Sequence, residues 1–96
     1  MRNRIQYAIT VHNYRTAMYG LFYGKKSEMK RVEEMLNAIE DSKDDDEINF
    51  LTQELFDNYG FIDEINYRSI DKDTIYTDIN DNRYRIINNC SHILYY

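Results

Sequence analysis

The sequence predicts an α+β fold, two helices packed on an antiparallel sheet in the order β-β-α-α-β-β-β. Three observations carry that expectation. Ile5, Tyr7, Ile9 and Val11 alternate with Gln6, Ala8, Thr10 and His12, and a period of two belongs to a half-buried strand. Between residues 27 and 60 the apolar residues recur at three- and four-residue spacings, as in amphipathic helices. From Phe61 onward the strand pattern returns, and no proline interrupts it.

Taken in order, Ile5 to Val11 forms the first strand, and His12-Asn13 turns the chain. Tyr14 to Tyr23 reads as its antiparallel partner, although Ala17, Met18 and Leu21 also suit a helix; Gly20 in its middle suggests a bulge. Ser27 is the expected N-cap of the first helix, with Met29, Val32, Met35, Leu36 and Ile39 on its buried face and an end near Asp41-Ser42. An aspartate of the run Asp44-Asp45-Asp46 caps a second helix, whose buried stripe is Ile48, Leu51, Leu55, Phe56 and Tyr59. Gly60 supplies a left-handed stop. Beyond it, Ile65, Tyr67 and Ser69 share a strand face, and Asp71-Lys72-Asp73 turns. Ile75, Thr77 and Ile79 form the next strand, and Asn80-Asp81-Asn82 closes a hairpin onto Tyr84 and Ile86. Asn88-Asn89 ends that strand, leaving His92 to Tyr96 as a short last one.

The 96 residues fit one domain, 1–96, and 43% hydrophobic content with ten Tyr and four Phe is enough to build its core. The start of the chain is a poor signal-peptide core, since Gln6 and Thr10 interrupt its apolar run. With a lone cysteine, Cys90, there is no disulfide framework, so a cytoplasmic location is expected.

Charge is segregated along the chain. Residues 1–27 carry Arg2, Arg4, Arg15, Lys25 and Lys26 and no carboxylate, whereas all 17 carboxylates fall between Glu28 and Asp81. A net charge of −5 disfavours binding to a phosphate backbone. It suits a basic protein partner.

Catalytic patterns are weak. Cys90 and His92 are the one nucleophile–base pair, with no glycine-rich oxyanion turn beside them. Asp78-x-Asn80-x-Asn82 begins like a calcium loop, but Arg83 stands where that loop needs glycine and Asn89 where it needs glutamate. Asx residues closing a hairpin explain the run better. Neither a zinc ligand set nor a phosphate-cradling glycine loop is present, so no metal or cofactor is expected.

The surface remains. Glu40, Asp41, Asp44, Asp45, Asp46 and Glu47 put six carboxylates within eight residues. Glu54, Asp57, Asp63 and Glu64 extend the charge, and Tyr59, Tyr67 and Tyr76 offer rigid anchors. Such a face imitates the charge of a nucleic acid and fits a basic groove. A second mixture, Arg2, Arg4, Arg15, Lys25 and Lys26 interleaved with Tyr7, Tyr14, Tyr19, Phe22 and Tyr23, is like that of single-strand binders, although the core also needs many of those rings and the whole chain is negative.

In general character the chain is similar to small acidic proteins of phages and mobile elements, among them anti-CRISPR and anti-restriction inhibitors; no particular residue carries that likeness. The expectation is a non-enzymatic inhibitor docking on the basic surface of a nucleic-acid-handling effector, without direct nucleic acid or membrane contact. The alternatives are a module that self-associates, as a homodimer, through a tyrosine-rich sheet face, and a Cys90/His92 enzyme.

Overall fold

The computed structural model describes residues 5–13, 18–63 and 72–92, without the side chains of 13 and 89–92. Seven elements follow in the expected order: β1 (Ile5–Asn13), β2 (Met18–Gly24), α1 (Lys26–Asp41), α2 (Asp45–Asn58), β3 (Gly60–Asp63), β4 (Ile75–Thr77) and β5 (Arg83–His92). The strands form one sheet in the order β3-β2-β1-β5-β4. Three of its pairings are antiparallel, as expected, and β1 with β5 is parallel, so the sheet is mixed.

β1 lies at the centre of the sheet, which changes what its alternation means. Ile9 and Val11 face the helices, while Ala8 and Thr10 are equally buried on the other side. Small residues fit beside Leu21, Tyr84 and Ile86 there, so the strand is buried on both faces and not on one.

Residues 18–24 of the ambiguous second segment are strand, paired residue for residue with β1; residues 14–17 lie outside the described region. Gly20 makes no bulge, because it pairs regularly with Val11. It allows a close approach instead, since a Cβ there would stand 2.2 Å from the Ile62 carbonyl oxygen. The irregularity is in β5, where Ala8 pairs with Ile86 and Ile9 with Asn88, leaving Ile87 between them.

α1 begins earlier than Ser27 suggested. Lys25 is its N-cap, and the Glu28 carboxylate accepts the Lys25 N–H at 2.8 Å. Met29, Val32, Leu36 and Ile39 are buried against the sheet. The helix ends at Ser42, whose N–H reaches the carbonyls of Ala38 and Ile39. The Ser42 hydroxyl donates to Glu47 at 2.5 Å, fastening the turn between the helices.

Asp44 caps α2, its carboxylate accepting the Asp46 N–H at 3.0 Å. Ile48 and Leu55 enter the core, and Phe56 packs its ring 5.6 Å from Phe22 and 5.0 Å from Phe61, tying α2 to β2 and β3. Gly60 is not a left-handed stop. Tyr59 ends the helix in extended conformation, and Gly60 opens β3 opposite Tyr23.

Further differences lie in the second half. Asn88-Asn89 does not end β5, which continues to His92; the Asn88 amide donates to Glu33 of α1 and so joins the helix layer to the sheet. β4 is three residues long, and Ile79 is fully exposed in the turn after it. The expected strand through Ile65, Tyr67 and Ser69, and residues 93–96 of the expected last strand, lie outside the described residues. Among the described residues, no helix is long and apolar enough to cross a membrane.

Candidate functional site

α2 gathers the negative charge. Asp44 through Asn58 contains Asp44, Asp45, Asp46, Glu47, Glu54 and Asp57 and no lysine or arginine. Three of these, Asp45, Asp46 and Glu47, occupy the first turn, where carboxylates oppose the positive pole of the helix. Burial of Ile48 and Leu55 turns the opposite side of α2 outward. At 3.6 residues per turn that outward side carries Asp46, Phe50, Gln53 and Asp57, spaced 4, 7 and 11 positions from the first. The Gln53 amide donates to Asp57 at 2.9 Å and fixes the C-terminal end of this stripe.

Phe50 lies within it, 63% exposed. Its ring also borders an open groove of about 720 Å³ between the two helices, lined by Glu28, Arg31 and Met35 of α1 and by Leu51, Glu54 and Tyr59, so that one cation of α1 faces the carboxylates there. A large ring held in water beside carboxylates contributes nothing to the core. It is the kind of group that anchors a partner. The sequence reading of the site did not include it. The available signal was its offset of two from Ile48, which places it off the buried stripe.

The sequence-derived residues distribute as follows. Asp45, Asp46, Glu47, Glu54 and Asp57 all lie on α2 but around its circumference: Asp46 and Asp57 are on the outward side, Glu54 lines the groove with Tyr59, Glu47 accepts from Ser42, and Asp44 caps the helix. Asp41 is exposed and Glu40 half-buried in the last turn of α1. Asp63 is exposed at the end of β3, on one edge of the sheet. Tyr76 is on β4 at the other edge, half-buried, its ring 6.2 Å from that of Tyr84. Glu64 and Tyr67 lie outside the described residues.

The hairpin at Asp78 has a structural explanation. One carboxylate oxygen accepts the N–H groups of Asn80 and Asn82, each at 2.9 Å, and the other accepts the Asn82 amide at 3.2 Å and the Tyr84 hydroxyl at 3.0 Å. Desolvation pushes the Asp78 pKa up, but the hydrogen bonds from Asn82, Tyr84 and Asn80 outweigh it and hold the carboxyl below its ordinary value. Burial, then the bond to Asp78, pushes Tyr84 up to about 12. Among the described residues, no group of three or more His, Cys, Asp or Glu could hold a metal ion. Cys90 and His92 pair with Val11 and Asn13 in the β1–β5 ladder, and His12 packs edge-on against Tyr19 at 5.1 Å.

No family model, no curated protein and no solved structure matches the chain.

Proposed function

We propose that the chain is a non-enzymatic binding protein that docks the outward side of α2 on a basic surface of another protein. The observation that carries this reading is Phe50, 63% exposed on a helix with carboxylates and no cation. Charge complementarity draws the partner in and sets the orientation. The ring and the adjoining groove then supply the apolar contact that charge alone lacks.

The partner is a protein with a positively charged groove, of the type that holds nucleic acid. Occupying that groove displaces the nucleic acid, which makes the chain an inhibitor of the anti-CRISPR or anti-restriction kind. A reducing, cytoplasmic setting fits the lone Cys90.

The test is capture from a host lysate at low and high salt, followed by reconstitution with the purified partner. The wild-type chain is expected to release nucleic acid from that partner as it is titrated in. The Phe50→Ser variant is expected to fail while keeping its fold. Equal displacement by wild type and variant overturns the reading, and so does a partner with no basic surface.

A further inference from the structure

We infer that the corner of the sheet left uncovered by the helices, at the β4–β5 hairpin, docks the outward side of α2 from a second copy of this chain. The inference rests on the reading of α2 as a docking surface and gives that surface a second occupant.

The helix layer lies over one side of the sheet. Phe56 ties α2 to β2 and β3, and α1 meets β5 where Glu33 receives the Asn88 amide. Strand pairing fixes what stands at the opposite corner. Ile75, Arg85 and Tyr7 form one cross-strand row, and Thr77, Arg83 and Ile5 form the next. Side chains alternate between faces along a strand. Tyr76, Tyr84 and Ile86 pack on the face away from the helices and Tyr7 toward the helix-side core, so both rows are on the helix side. No helix covers them. Ile5 is 41% and Ile75 39% exposed, and Thr77, Arg83 and Arg85 are exposed as well. Ile79 stands fully exposed in the turn beyond Thr77.

The corner is apolar and cationic. Arg83 and Arg85 sit among the isoleucines, the Lys26 ammonium stands 5.7 Å from the centre of the Tyr7 ring, and neither row contains a carboxylate. Acids lie around it: Asp78 reaches the Tyr84 hydroxyl on the other face, Asp73 and Asp81 are exposed in the segments flanking β4, and Glu28 is in the first turn of α1. The outward side of α2 is the complement. There Asp46 and Asp57 flank Phe50, which is 63% exposed, and the helix has no lysine or arginine. The carboxylates meet the arginines, and the ring meets Ile5 and Ile75.

The two surfaces belong to opposite sides of the sheet, α2 beside β3 and β2, the corner on β5 and β4. The contact is therefore head-to-tail. Each pair leaves one α2 and one corner free, so assembly continues past two copies. The net charge of −5 opposes distant approach. At about 0.1 M salt the screening length is about 10 Å, and that repulsion fades while pairs in contact persist. Self-assembly also covers α2, so the proposed partner competes with it.

The test is sedimentation velocity at about 0.1 M salt over a concentration series. Wild type is expected to grow past the dimer as concentration rises. Arg83→Gln with Arg85→Gln removes the charge of the corner, and Phe50→Ser removes the anchor of α2. Each variant alone is expected to stay monomeric with an unchanged thermal midpoint. Mixed in equal amounts they share one intact corner and one intact α2, and are expected to form a dimer and nothing larger. A monomeric wild type, a mixture that stays monomeric, or an arginine variant that associates as wild type does overturns the inference. The arginine variant keeps α2 and is expected to displace nucleic acid from the captured partner as wild type does, so self-association and partner docking fail separately.

Discussion

The Tyr84 hydroxyl donates to the Asp78 carboxylate at 3.0 Å, linking the buried start of β5 to the turn that leads into it. Tyr84→Phe is therefore expected to cost about 1 kcal/mol at neutral pH, measured by urea unfolding. The tyrosine also sets an alkaline limit. Its pKa is raised from 10.0 to about 12, so the folded state holds a proton that the unfolded chain loses first. The stabilisation is present below pH 10 and disappears as pH rises toward 12. The gap between wild type and Tyr84→Phe should close over that window; a gap that stays constant there contradicts the assignment.

Asp78 sets the opposite limit. Its lowered pKa contributes stability above the ordinary value of 3.8, lost as pH falls through its folded-state pKa. Asp78→Ala should open the turn and flatten this acid dependence relative to wild type, again by unfolding across pH.

Asp44 and Asp46 are neighbours in charge but not in role. Asp44→Ala removes the acceptor for the Asp46 N–H and should cost about 1 kcal/mol. Asp46→Asn keeps the cap and should shift stability by less than about 0.5 kcal/mol. Thermal melts of the two variants separate the cap from the docking surface. Equal losses would contradict the division.

Gly20 is required by its neighbour strand. Gly20→Ala places a methyl group against the Ile62 carbonyl oxygen and should destabilise by about 1–3 kcal/mol. An unchanged unfolding midpoint would show that β3 can move away from β2 at no cost.

Phe50 should behave oppositely to a core residue. Phe50→Ser is expected to leave the melting midpoint within experimental error, or raise it slightly. Affinity for the partner is expected to fall by about tenfold or more. Phe22→Ser, at a fully buried ring, is the contrasting variant and should unfold the chain.

Much of this architecture was legible in the sequence, because local periodicity reports burial. The offsets of Met29, Val32, Leu36 and Ile39 identify the buried face of α1, and Asp44 marks the cap of α2. Pairing is not a local property. Nothing in the alternation of Ile5 to Val11 reveals that its neighbour is β5 running parallel, and that pairing is what sets Arg83 beside Ile5 and Arg85 beside Tyr7. Asn88 reads as a strand breaker until the Glu33 carboxylate on α1 is there to receive its amide. Gly60 reads as a helix stop because glycine tolerates positive φ, whereas here it faces the Tyr23 ring, which a Cβ would meet at 2.3 Å. At the acidic site the carboxylates were visible one by one, and so was the offset that takes Phe50 off the buried stripe; how much of its ring stays exposed is set by how α2 packs.

Zero-length carbodiimide coupling of the chain to its captured partner addresses the docking claim most directly, since it joins only carboxylates and amines already in contact. Links are expected from Asp46, Glu54 and Asp57 of α2 to lysines of the partner. Links confined to Glu33, Asp73 or Asp81, with none from α2, would contradict the account.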